Sequence, residues 1–329
     1  MIRILSALFC FLLPITAIAQ CQGDDIFSSL SEEAHADLQN RVAATEYGQG
    51  LYWRVEKDGQ VMNILGTMHL HDPRHGALVD RVAHQLDTAD LVLVEATLQD
   101  QVDMQVYMAN NPDLVSINSG PTLPELLDDA TWQTLRAAAQ SRGLPGFLAA
   151  KMQPWFLAMS LSIPPCAMGA LLAGEVGLDG LIMERAATLN IPVAPLEAWQ
   201  DTLALLSSGT QDEQLDALRA SAIEPAIHDA IITALINAYF DENMALGWHM
   251  SFVLQEFVPN LTPARYAEQM ATLEQQLLIE RNLNWIPVIE TAAATHDNLF
   301  IAFGAAHLIG EDGILNLLQN KGWAITAQE

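Results

Sequence analysis

The segments Ile64-Leu65-Gly66-Thr67-Met68-His69 and Leu299-Phe300-Ile301-Ala302-Phe303-Gly304-Ala305-Ala306-His307 lie near opposite ends of the chain and share one pattern. In each, an apolar run stops at a glycine and a histidine follows three residues later. A run of β-prone apolar residues reads as a strand, and glycine permits close backbone approach where the strand ends. Open α/β sheets bind ligands at the carboxyl ends of their strands. With 19 glycines and 9 histidines in 329 residues, the spacing alone carries little; its position after two strands gives it weight. The fold is expected to bring the two ends of the chain together.

Other strands support that reading. Leu51 to Glu56 and Val61 to Leu65 flank Lys57-Asp58-Gly59-Gln60, a hairpin built on an Asp-Gly pair. Leu91-Val92-Leu93-Val94 is continuously apolar, as in a strand buried on both faces, and Glu95 stands at its end. Ile191 to Leu196 is a short strand ending at Glu197, and Trp323 to Thr326 is a terminal one. Helices are expected at Ser31 to Ala44, at about Ala77 to Leu86, and from Gly177-Leu178-Asp179 to about Leu189. Residues from about 101 to 294 are otherwise helical in pattern, with breaks at Gly143-Leu144-Pro145-Gly146, Pro164-Pro165, Gly209-Thr210, Asn260 to Pro263 and Pro287. Strands, a long helical middle and strands again make one α/β domain over 47–329 with a large helical insertion, preceded by a tail over 20–46.

Charge excludes some partners. There are 14 Lys and Arg against 40 Asp and Glu, a formal net charge of −26, which repels nucleic acid and anionic membrane. Residues 1–19 read as a secretory signal peptide: Met1-Ile2-Arg3, an apolar run from Ile4 to Ile15, then Ala17-Ile18-Ala19. That run is shorter than the roughly 20 apolar residues of a membrane helix, and no later stretch has a span's uniform apolarity. Cleavage near Ala19 would leave a periplasmic or secreted protein with no stable membrane insertion. Cys10 departs with the signal, leaving Cys21 and Cys166. In an oxidising compartment they form a disulfide, or Cys166 is simply buried and Cys21 free; the sequence leaves both open.

His69, Glu95 and His307 all stand at strand ends and make a three-ligand set for a divalent metal, with a fourth position for water or substrate. The plainer alternative is two satisfied core histidines and a helix-capping glutamate. His71 is a further ligand or acid/base, or a solvated loop residue together with His75. His35, His84, His228, His249 and His296 lack a comparable frame. Asp179 and Glu197 are supporting carboxylates, Asp179 otherwise a helix cap. Arg281 pairs with a buried carboxylate or orients substrate, the alternative being a surface salt bridge. No G-x-S-x-G elbow, P-loop, H-E-x-x-H or C-x-x-C is present.

These residues, in order, resemble the TraB/GumN family, whose animal members are the TIKI proteins. The resemblance runs from about Leu51 to Ile325. It is carried by the two glycine–histidine segments, Val92-Leu93-Val94-Glu95, Lys151-Met152-Gln153-Pro154-Trp155, Gly177-Leu178-Asp179, Pro195-Leu196-Glu197 and Glu280-Arg281-Asn282. It implies an α/β fold of the erythromycin-esterase/ChaN-like class, a central mixed sheet flanked by helices. It also implies a metal-dependent protease of the TIKI type, with manganese, cobalt or zinc held by His69, Glu95 and His307, and Arg281-Asn282 near the site. The expected function is therefore an exported metal-dependent hydrolase acting on a peptide or protein, with His69, Glu95, His307 and Arg281 as its catalytic group. The alternative is a non-catalytic protein that sequesters a peptide or haem. The helical middle resembles bacterial members, so a protease activity transfers less firmly than metal binding, and the oligomeric state is left open.

Overall fold

A computed structural model describes residues 21–329 apart from 22, 25, 259 and 260. The expected signal peptide lies outside the described residues. The sheet contains β1 (Tyr52–Lys57), β2 (Gln60–Thr67), β3 (Leu91–Val94), β4 (Val193–Pro195), β5 (Asn298–Gly304) and β6 (Ala324–Ala327), in the order β4-β3-β5-β2-β1-β6. It is mixed, as expected. β2, β5, β3 and β4 run parallel, while β1 pairs antiparallel with both β2 and β6.

Burial explains the order. Leu299 to Phe303 of β5 are all buried, as are Met62, Ile64 and Leu65 of β2 and Val92 to Val94 of β3. Strands apolar on both faces belong in the interior of a sheet with helices above and below. β4 is three residues long and ends in Pro195, which lacks a ladder N–H and suits an edge. The other edge, β6, is largely exposed. The hairpin turns at Asp58 and Gly59, both at positive φ.

Helices cover both faces. Helix Leu178–Leu189 places Leu178, Ile182, Met183 and Ala186 into the sheet's core, spacings that put them on one side of the helix. Helix Glu280–Ala293 does the same with Trp285, Ile286 and Ile289. The sequence pattern expects this last helix to break at Pro287, but it continues to Ala293. Pro287 and Leu283 both face outward, where a carbonyl that has lost its partner can reach water. The helical middle falls into two excursions, one between β3 and β4 and one between β4 and β5, and the former holds most of an apolar cluster of its own around Leu123, Trp132, Leu135 and Leu157.

Cys21 and Cys166 form a disulfide, resolving the open pair. It holds the N-terminal segment where Ile26 packs on Ala230, Ile231 and Ala234 of helix Pro225–Phe240. The stretch Pro165–Leu189 is long and apolar enough, by length and composition, to cross a membrane, contrary to the sequence reading. It folds as separate helices broken at Gly174, which takes positive φ, and its second half packs on the sheet.

His75 departs from the solvated-loop reading. It opens helix His75–Asp87 and is fully buried, its ring 5.3 Å from that of Phe240. Neither ring nitrogen has a hydrogen-bond partner, and burial lowers its pKa to about 4 against the opposing pull of Asp72. A histidine whose folded pKa lies below its unfolded value of about 6.5 stabilises the fold above that pH. As pH falls from there toward 4, the unfolded chain takes up the proton first and the contribution, on the order of 3 kcal/mol, is lost. Urea melts at pH 7 and pH 4.5 should show His75→Phe reducing this acid sensitivity. An unchanged pH dependence in the variant would remove His75 as its source.

Candidate active site

All four parallel strands deliver a functional side chain at one edge of the sheet. His69 follows β2, Glu95 follows β3, Glu197 follows β4, and His307 sits in a short turn, Ala305–Leu308, after β5. The register aligns Thr67 with Gly304, and Val94 with both Ala302 and Pro195, so β2 and β5 end level and β3 and β4 end together two residues earlier. This is the carboxyl edge at which parallel sheets bind ligands.

Gly304 is the meeting point. A Cβ there would lie 3.1 Å from Glu95 Oε1, 3.7 Å from His307 Cδ2 and 3.9 Å from His69 Nε2. Its own N–H donates to Glu95 Oε1 at 2.6 Å. A second close approach is at Gly177, where a Cβ would fall 2.4 Å from the carbonyl of His69. Leu178 N–H donates to the Met68 carbonyl at 3.0 Å, so the start of helix 178–189 clamps the loop that carries His69.

The two imidazoles are oriented alike. His307 Nδ1 lies 2.6 Å from Asn282 Oδ1, and Asn282 Nδ2 donates to the Asp312 carbonyl at 2.8 Å. An amide oxygen only accepts, so His307 carries its proton on Nδ1 and presents Nε2 as a lone pair. His69 Nδ1 lies 3.2 Å from Asp179 Oδ1, which leaves Nε2 toward Gly304 and Glu95. An imidazole fixed in this way by an outer partner is the arrangement of metal-ligating histidines. Trp285 stacks on His307 with ring centroids 4.3 Å apart and adds to the burial that holds His307 neutral, its pKa pushed down to about 3. The hydrogen bond to Asp179 raises the pKa of His69, whose side chain is 65% exposed, so solvent weakens that effect.

Arg281 occupies the centre. Its Nη2 donates to Glu95 Oε2 at 2.6 Å and to Glu197 Oε1 at 2.6 Å, Nε donates to Glu197 Oε1 at 3.0 Å, and Nη1 lies 3.3 Å from His307 Nε2. Glu197 also accepts from Trp285 Nε1 and Thr202 Oγ1. Burial works to raise the pKa of Glu95, but His307, His69, Arg281 and the Gly304 N–H overcome it and draw it down to about 2. With His307 neutral, Arg281 supplies the lasting charge. A π-helical turn over Gln275–Ile279 directly precedes Arg281, a local widening that recurs at functional positions because it re-aims the residues after it.

His69, Glu95, Arg281 and His307 thus come together, with Asp179 and Glu197 behind them. His71 does not join: its Nε2 lies 3.2 Å from Glu175, its Nδ1 3.3 Å from the Val176 carbonyl. Arg281 is buried between two carboxylates and is not a surface ion pair. Trp285 and Thr202 were not singled out from the sequence as part of this network, although the apolar spacing of helix 280–293 already puts Trp285 on its buried side. His249 bonds Thr45 and His228 lies beside Arg142, both away from this cluster.

Two cavities open on the cluster. A small cleft of 140 Å³ is lined by His69, Glu95, Asp179, Glu197 and Arg281. A larger one of 460 Å³ shares His69, Glu95, Arg281 and His307 and is otherwise chiefly apolar.

Two imidazoles and one carboxylate suit a divalent ion in kind and number. Among the described residues, no three His, Cys, Asp or Glu side chains are drawn together closely enough to mark an ion site, and Arg281 shares the acceptors of Glu95 and His307. The donor chemistry nevertheless fits, because His69 Nε2, Glu95 Oε1 and the Cδ2 edge of the His307 ring surround Gly304.

The sequence profile of the TraB/PrgY/gumN family matches residues 51–327, from β1 to β6 and through every site residue. The chain belongs to this family. No curated protein matches it. The match spans the two glycine–histidine segments and Glu280-Arg281-Asn282, and the family is the one whose resemblance was drawn from the sequence.

Proposed function

We propose that this TraB/PrgY/gumN protein is an exported, metal-dependent hydrolase acting on peptide bonds. The observation that carries the reading is the gathering of His69 Nε2, Glu95 Oε1 and the Cδ2 edge of the His307 ring around Gly304, with Nδ1 of each imidazole beside an outer partner. His69, Glu95 and His307 would hold manganese, cobalt or zinc; a bound ion supplies carbonyl polarisation and a lowered water pKa. Arg281, fixed by Glu197 and Glu95, lines the adjoining cavity and would orient a carbonyl or steady a developing oxyanion. Asn282 and Asp179 hold the imidazoles in place. The disulfide supports an oxidising compartment, and with it the periplasmic or secreted location expected from residues 1–19.

The test is metal content of the protein from residue 20 onward, beside His69→Ala and His307→Ala. Near-stoichiometric manganese, cobalt or zinc in the parent and little in both variants is expected, followed by cleavage in peptide libraries. Because His69 holds a proton more tightly than a free imidazole, uptake should release protons and strengthen as pH rises. A parent that binds none of the three ions overturns the reading.

One feature favours the second reading, capture of a peptide without turnover. Arg281 is already paired with both Glu95 and Glu197, and the larger adjoining cavity is chiefly apolar. Glu95→Gln separates the two: an enzyme loses cleavage, whereas a sequestering protein keeps its binding and never forms product.

A further inference from the structure

The 460 Å³ cavity lies within the range of small-ligand sites, and its composition is sharply divided. One end is the cluster of His69, Glu95, Arg281 and His307. The rest of the lining includes Ile232, Leu235 and Ile236 of helix 225–240, Met244 and Trp248 of helix Met244–Met250, and Leu278 of the π-helical turn. None of those six side chains carries a charge. A peptide group held at the polar end therefore has an apolar recess within reach of its own side chain. An acidic side chain finds no unpaired lysine or arginine in that recess, since Arg281 is already paired with Glu95 and Glu197, in a protein of net charge −26.

Gly247 stands in this lining. A Cβ at that position would meet Ala238 Cβ and Leu235 Cδ2 at 3.7 Å, ordinary contact with nothing displaced. Glycine inside a helix costs roughly 1 kcal/mol relative to alanine. The position tolerates a side chain and would gain helix propensity from one, so its emptiness keeps the recess open.

We infer that this cavity is a subsite for one bulky, apolar, uncharged side chain next to the bond acted on, and that Gly247 sets its depth. The inference rests on the hydrolase reading for the bond acted on but not for the recess itself, so binding and cleavage are measured separately. Peptides identical except for Ala, Leu, Phe or Asp at one position are titrated by fluorescence anisotropy against the parent, Gly247→Ala and Gly247→Leu in EDTA. The same panel is then assayed for cleavage with manganese, cobalt and zinc.

The parent should prefer Leu or Phe to Ala by about tenfold or more, the scale on which apolar pockets discriminate, and bind Asp worst. Gly247→Leu should abolish that preference while leaving the Ala peptide within about threefold of its parental affinity. Gly247→Ala, the milder change, should reduce the preference for Phe before that for Leu. No apolar preference in the parent overturns the inference, as does an unchanged preference in a Gly247→Leu protein that melts like the parent. If Gly247→Leu does not fold, Gly247→Ala decides by the same criterion. Preferential binding of Leu and Phe with no cleavage at any metal would sink the hydrolase reading and leave the subsite standing.

Discussion

Arg281→Met is expected to destabilise the protein by about 3–5 kcal/mol, the usual cost of removing one partner from a buried ion pair. Its side chain is 13% exposed and lies between Glu95 and Glu197, at 16% and 13%. Without the guanidinium, two carboxylates at neighbouring strand ends face each other in a poorly hydrated space. They can escape only by taking up protons, so the loss should be largest near neutral pH and shrink in acid. Arg281→Lys should recover only part, because an ammonium cannot reproduce the forked contact with Glu197 through Nε and Nη2. Urea denaturation of both variants at pH 5 and pH 8 measures this. Equal loss at both pH values would mean that the carboxylates are not what Arg281 holds in check.

Removing the disulfide comes next in size. Cys21 and Cys166 are separated by 145 residues, and a closed loop of that length removes about 5 kcal/mol of chain entropy from the unfolded state by the loop-closure relation. Observed effects run from about 2 to 5 kcal/mol because the unfolded chain retains some order. The double variant Cys21→Ser, Cys166→Ser should show a matching drop in urea stability, and the parent should show the same drop in reducing buffer. A variant as stable as the oxidised parent would mean that Ile26 docks unaided. The effect should also reach the apolar cavity, since helix 225–240 carries the docking site for Ile26 and one wall of that cavity. Weaker binding of a Leu or Phe peptide in the double variant would reveal the connection.

Much of the sheet was legible because its strands are written as unbroken apolar runs, each stopping at a functional residue. The hairpin, Leu91 to Val94 and the run before Gly304 needed no tertiary information. Their neighbours did. Nothing in the apolarity of Leu299 to Phe303 says that this strand enters between β2 and β3, since any two such runs would pair equally well in sequence terms. His75 misled because a histidine after Asp72-Pro73-Arg74 reads as loop, and only the packing of Tyr239 and Phe240 from a distant helix makes it core. Pro287 misled because the rule against proline in helices concerns a carbonyl with nowhere to turn, and here it points outward. His69, Glu95, His307, Asp179, Glu197 and Arg281 could all be named from the chain as candidates. The central place of Arg281 could not, because it follows from the spacing of two strand ends and a helix that meet only in three dimensions.

The position of β5 has a consequence for how the molecule comes into being. The strand at the middle of the sheet is among the last to be synthesised, and its neighbours β2 and β3 do not touch each other. Until residues 298–304 emerge, the hairpin and β3 have no common partner, and each exposes an apolar edge seeking one. Folding dominated by such remote pairings is slow, and unpaired edges invite aggregation. A nascent chain of this design cannot complete its sheet until those last strands have been made.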